Sequence, residues 1–150
     1  MHKIKSSKYM IVLFSALSLM ILAIYVYDYH ELRKHIERSA NLSYHHIILT
    51  MIAYHQELDH YIHSYDSTND TNLYMLENNI KNAFSTYSVT INLIDGTDKG
   101  LYLEQHSLFK FFLQLLPLNY SDCTLKELRY LSKQTEIIIG ALQRLRQDTP

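Results

Sequence analysis

The sequence predicts an all-α protein: one N-terminal transmembrane helix continuing into an antiparallel up-down four-helix bundle. Three observations carry this expectation. An uncharged run, Tyr9 to Tyr27 (YMIVLFSALSLMILAIYVY), lies between Lys8 and Asp28 without Gly or Pro. Four later stretches repeat apolar residues at alternating steps of three and four, the period of one helical face. The 150 residues include only 3 Gly and 2 Pro, too few for a turn-rich β fold and unlike a disordered chain.

The apolar run sets the organisation. Nineteen residues at about 1.5 Å rise give a helix of about 28 Å, close to the roughly 30 Å hydrocarbon core of a bilayer. Lys3, Lys5 and Lys8 precede it, and no acid does. Its end (LAIYVY) offers no small-x-small cleavage site, so it is read as an uncleaved signal anchor rather than a signal peptide. Tyr9, Tyr25, Tyr27 and Tyr29 stand where interfacial aromatics belong. The expected layout is a basic cytoplasmic head (1–8), the anchor (9–27), a helical stalk (28–43) and an extracytoplasmic bundle (44–150). The expected protein crosses the membrane once, with its N-terminus inside. The lipid bilayer is its first expected partner.

After the anchor, helix formers continue to about Asp66. The stripe there is Ile47, Met51, Tyr54, Leu58, Tyr61 and Tyr65, thinning toward the membrane to Leu32, Ile36 and Ala40. Those last three form the expected seam of a homodimer through the stalk. Ser67 to Asp70 is a polar turn, and Asp70 or Thr71 is placed to cap a second helix. That helix runs to about Ile94 on Leu73, Leu76, Ile80, Ala83, Phe84, Tyr87, Ile91 and Ile94. Residues 95–100 (DGTDKG) form a loop. A third helix, about Leu101 to Leu116, shows Tyr102, Gln105, Leu108, Phe109, Phe112, Leu115 and Leu116, and Pro117 stops it. Thr124 and Glu127 have capping-box spacing at the start of a fourth helix, striped by Leu128, Leu131, Thr135, Ile138, Leu142 and Leu145. Gly140 interrupts that helix at a cost of about 1 kcal/mol against Ala, suggesting a close helix contact. The tail from Arg146 frays. Short connections make neighbouring helices antiparallel.

Composition excludes more than it names. Of 14 basic residues three precede the anchor, whereas all 15 acidic residues follow it; the remaining mildly acidic chain offers no nucleic-acid footprint. Cys123 is the only cysteine, so no intrachain disulfide forms; a place at a helix start can lower a thiol pKa, but a lone cysteine in a cap region reads as incidental. No nucleophile elbow, P-loop or CxxC occurs, so the chain reads as non-enzymatic, with no catalytic residue and no cofactor. Asn41, Asn69 and Asn119 head N-x-S/T triplets, which matter only in a eukaryotic secretory pathway.

Histidine is the compositional oddity: seven of nine lie between residues 30 and 63. Within HQELDHYIH, His55, Asp59 and His63 fall at i, i+4 and i+8 on one helical face, a spacing that can bind Zn²⁺ or another divalent ion. Against this stands a plain reading: the face is turned about 100–180° from the core stripe and is simply solvated. Several histidines charging together would also make the chain pH-responsive. Of the 13 tyrosines most fall on or beside the stripes, which reads as core packing with the hydroxyl at the rim. A ligand pocket lined by Tyr54, Tyr61, Tyr87 and His106 is conceivable.

From about Tyr44 to Gly100 the layout resembles the N-terminal extracytoplasmic helical sensor regions of bacterial sensor histidine kinases and diguanylate cyclases. The residues that carry it are LDHYIHSY (58–65), LENNIKNAFSTY (76–87) and NLIDGTDKG (92–100), behind a basic head and an uncleaved membrane helix. The resemblance implies a sensing or protein-interaction module that relays binding of a small molecule or protein through stalk and membrane helix. No functional residue carries over with it. The chain shows neither a second membrane helix nor an output domain, so the expectation is a free-standing relative or a sensor half. The rival reading is a non-signalling envelope-assembly or phage/secretion accessory protein with a helical ectodomain.

Overall fold

The computed structural model describes residues 3–64, 70–94 and 99–147. They form α1 (Lys3–Ser64), α2 (Thr71–Ile91), α3 (Lys99–Leu115), a 3-10 turn (Tyr120–Asp122) and α4 (Leu125–Gln147), with no strand among them. The described residues are all-helical apart from short connections, as expected. Most of the turn at 67–70 and of the loop at 95–100 lies outside the described residues, as do Tyr65, Asn69 and the last three residues of the tail. The chain divides into two compact units, Met1–His35 and Ile36–Pro150.

In the first unit the apolar run is helical, and its described side chains face outward on every side. Leu13, Phe14, Leu17, Leu19, Met20, Ile21 and Leu22 are all exposed. A helix that is apolar all round is stable only in an apolar surrounding. It is the one helix among the described residues long and apolar enough to cross a membrane.

The second unit buries a common core drawn from residues 36–64 of α1 and from α2, α3, the 3-10 turn and α4. The α1 stripe does as expected: Ile47, Met51, Tyr54, Leu58 and Tyr61 are buried. Tyr44 and Ile48 join them. Aromatic rings occupy the centre. Phe109 stands edge-on to Tyr44 (5.6 Å between ring centres) and to Tyr87 (5.5 Å), while Phe112 stands edge-on to Tyr54 (5.6 Å). Each fully buried ring contributes roughly 1.5–3 kcal/mol of transfer free energy. Helix propensity differs by well under 1 kcal/mol per residue, so the stripes decide the packing.

Ala40 is fully buried in this core and Ile36 packs against it, leaving only Leu32 of the three stalk residues exposed. A homodimer seam through all three would have to open the core. The reason is steric: Ala40 is the small residue one helical turn before Tyr44 on the buried face.

Helix termini follow local chemistry. At α4 the full capping box forms. The Thr124 N–H and hydroxyl both donate to Glu127 Oε2 (2.8 Å each), and the Glu127 N–H returns to Thr124 Oγ1 (3.3 Å). These bonds hold the Glu127 carboxyl below its ordinary pKa. At α2, Asp70 occupies the N-cap position, but its side chain makes no capping bond. Its backbone is helical (φ −82°, ψ −3°), so the side chain is not turned back toward the free N–H groups; its carbonyl accepts from Tyr74. Gly140 makes no close helix contact, since a Cβ added there would meet nothing within 4 Å.

The α2 stripe differs from expectation at one position that matters. Leu73, Glu77, Ile80, Tyr87 and Ile91 are buried, and Leu76 is only half-buried. A charged residue holds a core position of the heptad.

Candidate functional site

Two polar constellations stand out in the second unit, one closed and one open. The closed one surrounds Glu77. Its Oε2 accepts from the Tyr120 hydroxyl (2.8 Å), and its Oε1 accepts from Lys81 Nζ one turn along α2. Tyr120 has a single proton, which goes to the carboxylate, so the Tyr54 hydroxyl donates to Tyr120 (2.9 Å). Tyr74 donates to Asn119 Oδ1 (3.1 Å) and accepts from the Tyr120 N–H (3.3 Å). Burial pushes the pKa of Tyr54 and of Tyr120 well above the ordinary phenol value, and the Glu77 charge pushes further in the same direction. Both therefore stay protonated donors. Among the described residues no buried side-chain N or O atom lacks a partner. The constellation is fully hydrogen-bonded and reads as structural: it ties the α3–α4 connection to α1 and α2.

The open constellation is a cleft of about 470 Å³ between α1 and α4. His55, Asp59, Ile62 and His63 form one wall; Arg129, Ser132, Lys133 and Glu136 form the other. The three residues singled out in the sequence as a metal-binding row all line it, but they do not converge as ligands. His63 Nδ1 is engaged by the Asp59 carbonyl (2.7 Å). Asp59 Oδ1 accepts from the Ser132 hydroxyl (2.6 Å), and His55 Nε2 lies 3.2 Å from that same hydroxyl oxygen. Among the described residues no group of three His, Cys, Asp or Glu could hold a metal ion. Nor is the face simply solvated. Ser132 is small enough for α4 to cover the flank of α1, leaving His55 and Asp59 half-buried.

Serine, histidine and aspartate thus meet without forming a nucleophilic triad. The Ser132 proton goes to Asp59, so Ser132 Oγ accepts from the Nε2–H of His55. The imidazole nitrogen facing the serine is a donor and takes no proton from it. His55 Nδ1 is 3.8 Å from Asp59 Oδ2, too far for a hydrogen bond.

The aromatic pocket imagined among Tyr54, Tyr61, Tyr87 and His106 does not form as one space. Tyr54 is filled in by Phe112 and Tyr120, and Tyr87 by Phe109 and Tyr44. The Tyr87 hydroxyl donates to Gln105 Oε1 (2.6 Å). His106 lies against Phe84 (4.9 Å between ring centres), and its pKa is held down by burial and by Lys110. The Cys123 thiol is not activated by its place before α4: burial, then the Glu127 and Asp122 carboxylates, push its pKa up. Its sulfhydryl donates to the Asn119 carbonyl (3.4 Å). Asn119 is occupied as well, since Oδ1 accepts from Tyr74 and Ser121 and Nδ2 donates to Asp122.

Sequence reasoning missed Glu77, Tyr120, Ser132, Arg129 and Lys133. Glu77 was within reach. Leu73, Glu77, Ile80, Phe84, Tyr87, Ile91 and Ile94 step by 4, 3, 4, 3, 4, 3, an unbroken heptad, and only the charge argued for Leu76 instead. Ser132 follows the buried Leu128 by one turn, which puts it at the core edge. Nothing in the sequence indicated which helix would face His55 and Asp59.

Fold and site together define an all-helical chain with a candidate membrane-spanning helix and a polar cleft in its helical second unit. Compared with known proteins, the chain matches no family model, no curated protein and no solved structure.

Proposed function

We propose that the chain is a membrane-anchored sensing or interaction module of a bacterial signalling protein. In this reading residues 9–27 cross the inner membrane, the basic head stays inside, and the second unit lies outside as an up-down four-helix bundle. Cross-helix pairs support the bundle. Residue 44 meets residue 142 and residue 59 meets 132, so numbers fall along α4 as they rise along α1. Residue 87 meets 105 and residue 74 meets 119, the same antiparallel sense.

The observation that carries the functional reading is the position of the α1–α4 cleft. One of its walls belongs to the same helix, Lys3–Ser64, that contains the apolar run. A ligand or partner seated in that cleft, between His55, Asp59 and His63 of α1 and the charged wall of α4, would change how the two helices pack, and a small shift of one packed helix is a known way to transmit binding. Such a relay requires two packings of comparable energy.

Cysteine labelling in intact cells tests the arrangement. In a Cys123→Ser background, Leu118→Cys should react with a membrane-impermeant maleimide from outside, and Ser6→Cys only after permeabilisation. Equal labelling of both, or the reverse pattern, removes the reading.

Envelope assembly remains the second reading, on a specific observation. Leu118 is fully exposed, and the adjoining Pro117 lines a mostly apolar groove of about 250 Å³ with Leu115, Leu128, Tyr130 and Leu131, edged by Cys123 and Glu127, a surface suited to protein contact.

A further inference from the structure

We infer that the α1–α4 cleft binds a small zwitterion of about dipeptide size, its carboxylate on Arg129 and Lys133 and its ammonium on Glu136. This deepens the sensing reading and rests on it.

The argument starts from which charges are spoken for. Asp59 is held in place by one hydrogen bond, accepting from the Ser132 hydroxyl on Oδ1, while its Oδ2 lies 3.8 Å from His55 Nδ1. Arg129, Lys133 and Glu136 line the same cleft, and none has a hydrogen-bond or ion-pair partner among the described residues. Two cations and one anion without such a partner face a shared space, and the Asp59 carboxylate, tethered to Ser132, adds a second negative charge on the opposite wall. The complement of such a surface carries both signs.

Spacing on α4 sets the size. Arg129 and Lys133 are one turn apart, about 6 Å along the axis, close enough for both side chains to reach one carboxylate. Glu136 follows Lys133 by three residues, about 4.5 Å further. From the midpoint of the two cations to Glu136 is about 7.5 Å of rise. A single α-amino acid carries both charges on one carbon and spans less than half of this. Each added residue separates the ends by about 3.5 Å, so a dipeptide, or an ω-amino acid of equal length, fits best. Arginine also suits the carboxylate end because its planar fork donates two parallel hydrogen bonds.

The test is calorimetric titration of the full chain in detergent micelles with four probes: glycylglycine, N-acetylglycylglycine, glycylglycinamide and glycine. Glycylglycine should bind once per chain. Blocking its ammonium, blocking its carboxylate or shortening it to glycine should each weaken binding by tenfold or more. Arg129→Gln should weaken glycylglycine at least tenfold while leaving glycylglycinamide unchanged. Glu136→Gln should do the converse, weakening glycylglycine but not the N-acetyl form. Both side chains are exposed, and circular dichroism of the variants should match the parent. Three results each overturn the inference: no binding of glycylglycine at 10 mM (roughly sevenfold above a 1.5 mM Kd, itself weak for charge-assisted contacts), equal binding of the capped forms, or variants that bind as the parent does. Correct membrane labelling with a failed titration sinks the ligand and spares the module; reversed labelling with a successful titration does the opposite.

Discussion

Tyr120→Phe should destabilise the helical unit far more than the loss of one hydroxyl suggests. The side chain is fully buried, donates to Glu77 and accepts from Tyr54. Removing the oxygen deletes a hydrogen bond to a charged group, worth about 1.5–3 kcal/mol, and leaves the buried Tyr54 hydroxyl without an acceptor, a further 1–3 kcal/mol. The expected loss is about 3–5 kcal/mol, against roughly 5–15 kcal/mol for a domain of ordinary stability. Tyr54→Phe alone should cost only about 0.5–1.5 kcal/mol, because Tyr120 still donates to Glu77. In the double variant no hydroxyl is orphaned, so it should be no less stable than Tyr120→Phe. The cycle then yields a coupling of about 1–3 kcal/mol. Urea unfolding of the full chain in micelles, followed by near-ultraviolet circular dichroism, measures all four corners. Additive losses would refute the directed chain from Tyr54 through Tyr120 to Glu77.

Other expectations follow from the same packing. Gly140→Ala should raise stability by about 1 kcal/mol, since the new methyl meets open space within a helix; a loss would mean a contact is disturbed. Thr124→Ala should cost about 1 kcal/mol by breaking the capping box, read as a lower urea midpoint. The same box holds the folded pKa of Glu127 below its unfolded value, so its contribution is present above that value and lost as pH falls through the folded one. Alkali should unfold the unit from the other side. Burial pushes Tyr44 up to about 12 and raises Tyr54, Tyr87 and Tyr120 as well. Below pH 10 folded and unfolded chains both keep these protons, and stability is whole. Above pH 10 the unfolded chain releases them first, and each such residue removes about 1.4 kcal/mol per pH unit until its folded pKa is reached. A titration followed by tyrosinate absorbance should show a steep cooperative rise; gradual independent ionisation would contradict the burial.

The stripes were legible because helical periodicity and burial share one cause. Ile47, Met51, Tyr54, Leu58 and Tyr61 on α1, and Leu128, Leu131, Thr135, Ile138 and Leu142 on α4, are buried as their spacing implies. Thr135 could be read into the stripe because a threonine satisfies its own hydroxyl, here on the Leu131 carbonyl (2.8 Å). Glu77 was lost because a carboxylate is stable in a core only if distant partners supply donors, and Tyr120 lies 43 residues away. The cleft was half legible. Its α1 wall was visible as HQELDHYIH, but its α4 wall depends on which helix flanks that face, a tertiary fact that periodicity does not encode.

The account stands most directly on whether filling the cleft moves α1 against α4. Double electron–electron resonance on the full chain in nanodiscs, with spin labels at Gln56→Cys and Ile137→Cys in the Cys123→Ser background, reports that distance. Glycylglycine at concentrations that saturate the calorimetric signal should shift or narrow the distribution, and the Arg129→Gln chain should not respond at the same concentration. An unchanged distribution in the ligand-saturated parent would contradict a sensing role for the cleft.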